Sequence, residues 1–230
     1  MAENRKKWLK NHWTYSWWKY MLVAFISVMG VNLLFTTTAY RAPEHKKIEI
    51  YILNSYADTA AMDSDFRPLF FEAHPDQEEL AIMNVNLAAD DMYVRMQYTT
   101  YVAAQQGDVM LLPKAEIEKL TESGADNAFL ELSPYIENGL IDLSGIDGEV
   151  LVLKDSNGEE GVYAIPADSL FGLLDYGNDP QGSYLCIMSY CGNEDTAAAV
   201  LNMMLERYHG EEPEWYEERK QEMSNPGVLF

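Results

Sequence analysis

The longest apolar stretch of the chain lies near its beginning. Residues 21–40 contain no charged side chain, and Met21–Phe35 is interrupted only by Ser27, Gly30 and Asn32. A helix of about twenty residues, rising 1.5 Å per residue, covers about 30 Å, the thickness of the hydrocarbon core of a bilayer. The pattern therefore predicts a transmembrane helix over residues 21–40.

Basic and aromatic residues flank this stretch. Residues 1–20 carry a net charge of +4 and residues 41–47 a net charge of +2, which favours a cytoplasmic N-terminus and a short outer linker. Aromatic residues of the kind that collect at membrane interfaces are Trp13, Tyr15, Trp17, Trp18, Tyr20 and Tyr40. We interpret the segment as a signal anchor, with the rest of the chain extracellular. A cleaved secretory signal stays open, since Thr37-Thr38-Ala39 is an acceptable cleavage site.

Beyond the linker, short apolar runs alternate with helical patterns. Strands are predicted in Ile48–Leu53, Glu79–Leu87 and Val109–Leu112. The helices between and after them are predicted to begin at Asp63 or Ser64, at Asp90 or Asp91 and at Pro113, and to end at His74, Gly107 and Gly124. Strands that alternate with helices in this way predict an α/β fold with a mainly parallel sheet and right-handed crossovers.

The pattern changes after residue 148. Glu149–Lys154 and Gly161–Ile165 flank Asn157-Gly158, which predicts a β-hairpin with a tight turn of two positive φ angles. The alternative, a calcium loop in residues 155–160, departs from the EF-hand ligand spacing. A strand in Gly182–Ser189 and a helix over Asp195–Tyr208 follow. The folded domain is thus expected over residues 48–210, with an acidic tail over 211–230.

Charge and motifs narrow the class of function. The chain has a net charge of −21, and residues 48–230 alone carry −27, so nucleic-acid binding by the domain is not expected. No phosphate-binding glycine motif and no Gly-x-Ser-x-Gly occur, and the four histidines are scattered. The sequence therefore predicts no enzyme, no catalytic residue, no metal site and no cofactor.

The two cysteines leave two alternatives. Cys186 and Cys191 would lie in an oxidising exterior, where disulfides form. Along a continuous strand, their separation of about 16 Å would exceed the reach of a disulfide. They can bond only if the chain reverses between Ile187 and Tyr190; otherwise they are two partly buried thiols.

Several segments taken in order resemble one protein family. They are Ile48–Tyr56, Ala103–Pro113 (AAQQGDVMLLP), Lys114–Gly124, Phe129–Tyr135 (FLELSPY) and Tyr163–Asp168 (YAIPAD). Their order is similar to that of the extracellular solute-binding proteins of bacterial ABC importers, of the periplasmic-binding-protein type II fold. Because few residues separate Asp168 from Ser183, we expect the second lobe of that family to be largely missing here. The resemblance implies a single lobe, a Gram-positive bacterial source and an anchoring helix in place of a lipobox.

The resemblance and the sheet rule together imply a binding function. We expect a membrane-anchored, non-catalytic protein that binds a small ligand or the permease of an ABC transporter. A structural accessory subunit of a membrane or envelope complex, with no small ligand, remains the alternative. Ligands of open α/β sheets bind beyond the carboxyl ends of the strands. The candidate ligand-binding residues are Asn54, Ser55, Tyr56, Pro113, Lys114, Asp168 and Ser169. Among them, Tyr56 would stack on the ligand, Lys114 would bind an anion and Asp168 would accept hydrogen bonds.

Overall fold

The structure is a computed structural model that describes residues 2–38, 42–89 and 91–216. These residues form two compact units, one before and one after residue 41. Outside the described residues lie Met1, Asp90 and the tail residues 217–230. Also outside are Ala39 of the possible cleavage site, Tyr40 at the end of the predicted span, and Arg41, with which the predicted linker begins.

The first unit is one helix, α1 (Ala2–Thr38). Its segment Ser16–Thr38 has a mean hydropathy of 1.8, and none of its most apolar window is buried. By length and composition this segment can cross a membrane, although a signal sequence near an N-terminus meets the same criteria. Large apolar side chains cover its surface; Phe35, for example, is 75% exposed.

The second unit contains six strands and five α-helices among the described residues. The strands are β1 (Lys47–Ile52), β2 (Glu79–Asn84), β3 (Val109–Pro113), β4 (Leu151–Lys154), β5 (Glu160–Pro166) and β6 (Ser183–Ile187). The helices are α2 (Thr59–Ala73), α3 (Met92–Ala103), α4 (Lys114–Leu120), α5 (Ser133–Glu137) and α6 (Glu194–Tyr208).

All six strands belong to one mixed sheet of order β2-β1-β3-β6-β5-β4. The first three strands are parallel, as predicted, because a helix connects each of them to the next. The prediction of a mainly parallel sheet is wrong, since the other three pairings, β3–β6, β6–β5 and β5–β4, are antiparallel. Between β5 and β6 the chain forms only the 3-10 segment Phe171–Tyr176, with no crossover α-helix.

Helices cover both faces of the sheet and bury separate cores. On one face, α2 and α6 pack against Ile50 and Ile52 of β1. On the other face, Tyr98 of α3 and Ile117 of α4 pack against Tyr51. The helices that follow β1 and β3 therefore lie on opposite faces. This is the arrangement that opens a crevice between two neighbouring parallel strands at their carboxyl ends.

Three helix ends differ from their predictions: the start of α2, the end of α3 and the end of α4, which lies at Leu120 rather than at Gly124. The N-cap of α2 is Asp58, whose side chain accepts from the Ala61 backbone N–H, rather than Asp63 or Ser64. Asp63 instead pairs with Arg67 one turn later. Helix α3 ends at Ala103; Gln105 then has a left-handed φ of 53°, and the predicted Gly107 has a positive φ of 90° two residues further on.

The hairpin is confirmed, but its turn is not the predicted one. β4 and β5 pair from Leu151↔Ala164 to Lys154↔Glu160. In the loop between them only Gly158 has a positive φ, 88°, so Asn157 keeps an ordinary conformation. The Asp155 carboxylate caps its own loop, accepting from the backbone N–H groups of Asn157 and Glu159 at 2.8 and 2.7 Å. The carboxylate thus has the role of a turn residue.

Candidate functional site

A cleft of about 530 Å³ lies at the carboxyl ends of β1 and β3. Asn54 and Ser55, which follow β1, form part of its wall, and Pro113 at the end of β3 forms another part. Residues from α3 and α4, on the face of the sheet opposite α2, complete it together with residues that precede β6. The cleft therefore occupies the position where open α/β sheets bind ligands.

Three charged side chains stand together in this wall. Arg95 Nη1 lies 3.2 Å from Glu116 Oε1, and Lys119 Nζ lies 2.6 Å from the same oxygen. Arg95 and Lys119 keep 44% and 56% of their side-chain surfaces exposed, whereas Glu116 keeps 12%. The Glu116 carboxylate thus holds two positively charged side chains at the cleft, in a domain whose net charge is strongly negative.

The pKa of Glu116 reflects this arrangement. Burial raises the pKa of the carboxyl, but hydrogen bonds from Lys119 and Arg95 outweigh burial and hold the pKa below its usual value. A carboxyl with a depressed pKa in the folded state stabilises the fold above its unfolded pKa and loses that contribution as the pH falls.

We expect Glu116→Gln to lower the free energy of unfolding of the domain by about 1–2 kcal/mol at pH 7. The difference from the wild type should shrink as the pH falls below 4.5 and vanish below the depressed pKa of the folded state, where Glu116 is protonated in both states. Urea unfolding of residues 42–230 at each pH measures it. Glu118→Gln, an exposed change on the same helix, is the matched control. A Glu116 effect that is independent of pH would contradict the ion-pair role.

The polar groups after β1 are paired with a loop that crosses them. Asn178 Nδ2 donates to Asn54 Oδ1 at 2.7 Å and to Ser55 Oγ at 2.9 Å. Asn54 Nδ2 in turn donates to the Asp179 carbonyl at 2.6 Å. Asn178 is fully buried and Asn54 is 6% exposed. These bonds fix the cleft wall, so both side chains position it rather than reach freely into it.

The far wall is held by the carboxylates of Asp168 and Asp179. Asp179 Oδ1 accepts from Tyr216 Oη at 2.7 Å and from the Gln181 backbone N–H at 3.1 Å. Asp168 Oδ1 accepts from the Gly182 backbone N–H at 2.8 Å, and its carbonyl accepts from Gln181 Nε2 at 2.9 Å. Burial and the bond to Asp179 raise the pKa of Tyr216, so its hydroxyl stays protonated. Hydrogen bonds to the carboxylates of Asp168 and Asp179 therefore hold the loop before β6 in place.

The seven candidate residues separate into two groups. Asn54, Ser55 and Pro113 line the cleft. The other four, Tyr56, Lys114, Asp168 and Ser169, are not among its lining residues.

Each residue of the second group has another place in the structure. Tyr56 lies beside Gly177 and is 59% exposed, and Lys114 opens α4 with its backbone N–H donating to the Gly182 carbonyl. The Asp168 carboxylate accepts a hydrogen bond from the Gly182 backbone N–H in the loop before β6. Ser169 is 1% exposed, and its carbonyl accepts from the Gly210 backbone N–H.

Sequence reasoning missed Arg95, Glu116 and Lys119. A signal was present for Arg95 and Glu116 but not for Lys119, which lies in the last turn of α4. Helices α3 and α4 follow β2 and β3 and so begin at the same edge of the sheet as the cleft. Side chains in the first turns of these helices are therefore placed near it. Asn178 and Asp179 had no comparable signal, since they reach the cleft only through the long-range contact with Asn54.

Both cysteines are free and buried. Cys186 Sγ contacts the Met110 carbonyl oxygen at 3.4 Å, and burial raises its pKa. Burial likewise raises the pKa of Cys191 to about 12. Of the two alternatives for this pair, the structure has the buried thiols, which are protonated and unreactive at neutral pH.

The chain resembles known proteins only distantly. No protein-family model and no curated protein matches the chain. Among solved structures, the chain is similar to an extracellular solute-binding protein family 1 from Alicyclobacillus acidocaldarius subsp. acidocaldarius DSM 446. The TM-score is 0.35 and the identity 18%, over 52% of this chain and 27% of that one. The match thus spans only about a quarter of that protein, and a likeness of this size assigns no function to the chain.

Proposed function

We propose that this chain is a single-pass membrane protein whose outer domain is a non-catalytic binding module, built like one lobe of a solute-binding protein. The cleft at the carboxyl ends of β1 and β3 is the observation that carries the proposal. In this role the cleft takes a small polar ligand, and the domain delivers it to the permease of an ABC transporter or to another membrane complex.

The charge of the wall supports a polar ligand. Arg95 and Lys119 present cationic groups whose shared partner, Glu116, is already bound to both. Hydrogen bonds hold Asn54 and Ser55, so these walls need little reordering when a ligand enters. Binding sites of this kind combine a preformed shape with a few fixed polar groups.

We infer the placement of the domain from the apolar segment of α1. In this proposal the part of that segment from residue 21 to residue 38 crosses the membrane, with residues 1–20 in the cytoplasm and the domain outside the cell. Protease added to intact cells is expected to digest the domain, and alkaline carbonate is expected to leave the full chain in the membrane. Recovery of a soluble domain that lacks α1 would instead identify a cleaved signal.

A thermal-shift screen of residues 42–230 against sugars, amino acids and peptides tests binding. A ligand at one hundred times its Kd stabilises a protein by about 2.7 kcal/mol, which raises Tm by roughly 5–10 °C in a domain of this size. We expect such a shift in the wild type and its loss in the double variant Arg95→Ala/Lys119→Ala.

The matched control is Lys154→Ala, an exposed lysine on β4 that does not line the cleft. It should keep the full shift. A shift that survives in the double variant would place the ligand elsewhere and contradict the cleft as the site.

One observation favours the accessory role as a second candidate. Helix α3 exposes Met92, Tyr93 and Met96, which are 86%, 69% and 60% exposed. Exposed apolar side chains that cluster on one element are typical of protein contact surfaces. If no small molecule shifts Tm and a membrane protein copurifies with the full chain, the accessory role is supported; substitution of Met92 and Met96 by Ser should then release that protein.

A further inference from the structure

The apolar stretch of α1 carries two polar side chains, Ser27 and Asn32, whose N–H and O–H donors its own helix leaves unpaired. The hydroxyls of Thr36 and Thr37 donate to the backbone carbonyls four residues earlier, each at 2.8 Å. Asn32 Oδ1 receives only a 3.3 Å contact from the Thr36 hydroxyl. Within the described part of α1, Asn32 Nδ2 and Ser27 Oγ make no hydrogen bond.

In hydrocarbon the N–H groups of the Asn32 carboxamide need an acceptor from outside the helix, and a hydroxyl such as that of Ser27 can supply one. The inference rests on the proposed membrane span, which places both side chains between residues 21 and 38. No water is available there to replace a missing hydrogen bond, so polar side chains in membrane helices commonly pair with another helix. A carboxamide and a hydroxyl each both donate and accept, so each can bond to the other.

The two polar residues border one continuous face of α1. Ser27, Val28, Val31, Asn32 and Phe35 line a shallow groove of about 540 Å³. The residues along the centre of this face recur at alternating spacings of three and four positions. They are Met21, Ala24, Val28, Val31, Phe35 and Thr38, and only Thr38 is polar. This spacing is that of a seam between two helices in a left-handed pair. We call this set, with Ser27 and Asn32 on its two borders, the pairing face.

We propose that the pairing face binds the same face of a second copy of this chain, with the two helices parallel. Copies of a single-pass protein all cross the membrane in the same direction, so their helices meet parallel. Ser27 and Asn32 are five positions apart and lie on opposite borders of the seam, which is the offset at which border residues of two parallel helices face each other. The two-fold axis then forms the Ser27–Asn32 hydrogen bond twice, once on each side.

The reciprocal pairing argues for a second copy over an unrelated helix. Each copy offers one hydroxyl and one carboxamide at complementary positions, so the homodimer satisfies both groups without a further partner. Ala24, near the start of the face, allows close approach of the two backbones.

Energy transfer between donor- and acceptor-labelled full-length chains in phosphatidylcholine vesicles tests the pairing. Transfer is expected to rise with the protein-to-lipid ratio in the wild type. Asn32→Leu should weaken dimerisation about tenfold, since it removes two symmetric hydrogen bonds. Asn32→Gln should restore part of the loss. Because leucine makes the span more apolar, weaker transfer in Asn32→Leu does not result from failed insertion.

The control is Gly30→Leu, which lies outside the pairing face. A Cβ at Gly30 meets no atom within 4 Å, so the change leaves α1 itself undisturbed, and dimerisation should persist. If Gly30→Leu abolishes transfer while Asn32→Leu does not, a close glycine contact replaces the proposed seam. Wild-type chains that show no transfer at any ratio also overturn it.

Carbonate extraction of the same vesicles separates this inference from the proposed function. A chain that resists extraction but stays monomeric refutes the pairing and leaves the membrane anchor intact. A chain that carbonate releases from the vesicles refutes both.

Discussion

Replacing Phe66 by alanine should lower the free energy of unfolding of the domain by about 4 kcal/mol, the largest effect we expect of a single substitution. Phe66 is 1% exposed and stacks on Tyr208 of α6 at a centroid distance of 6.1 Å. It lies in the middle of the buried face of α2, one turn from Met62 and from Phe70. The substitution leaves a cavity between two helices whose backbones are fixed by the sheet, so the site cannot collapse.

Urea unfolding of residues 42–230, followed by circular dichroism and by Trp215 fluorescence, measures this loss. Trp215 is the only tryptophan of that fragment. Leu69→Ala on the same helix is the matched control, because Leu69 is 40% exposed, and it should cost less than about 1 kcal/mol. Equal losses in the two variants would mean that α2 does not pack through the Phe66 face.

The second large effect is expected at Asn178, the fully buried amide beside the cleft. Asn178→Ala removes the donor to Asn54 Oδ1 and Ser55 Oγ; Ser55 Oγ keeps the Asp179 backbone N–H, whereas the buried Asn54 Oδ1 loses its hydrogen bond. A buried polar group left unpaired costs about 1–3 kcal/mol, so we expect a loss of about 2–4 kcal/mol in the free energy of unfolding. Ligand binding in the cleft should weaken as well, because Asn54 and Ser55 are no longer held in place.

Two further variants test whether the loss of stability comes from the buried hydrogen bonds of Asn178. Asn157→Ala, in the exposed hairpin loop, removes a 3.1 Å bond to Asp155 and should cost less than about 1 kcal/mol. Asn178→Asp keeps the shape but buries a carboxylate, so its folded pKa should rise above the unfolded value of about 3.9. The stability of this variant should therefore increase as the pH falls through that raised pKa. A stability of Asn178→Asp that matches the wild type at pH 7 would contradict the donor role of Asn178.

Much of the order of elements could be predicted from local pattern. The apolar runs at residues 48–53 and 109–112 became β1 and β3, and helices between strands made the first three strands parallel. The same alternation could not predict where β6 pairs. The chain places β6 between β3 and β5, and this choice depends on side chains far apart in sequence, such as Met110 opposite Cys186.

The cleft shows the same division. The rule that ligands bind at the carboxyl ends of strands selected Asn54, Ser55 and Pro113, which line it. The rule selected Ser169 as well, although Ser169 is buried and its hydroxyl accepts from the Asp147 backbone N–H at 3.4 Å. It could not show that the polar groups of Asn54 are bound by Asn178, 124 positions later.

By itself, the sequence determined the uncharged stretch of α1, the acidic character of the domain and the alternation of strands and helices, because each of these is a property of neighbouring residues. The tertiary structure alone decided the mixed order of the sheet, the free thiols of Cys186 and Cys191, and the joining of Arg95, Glu116 and Lys119 at one cleft wall. These features depend on which distant segments exclude water from each other, and their free energies arise only when the chain brings those segments together.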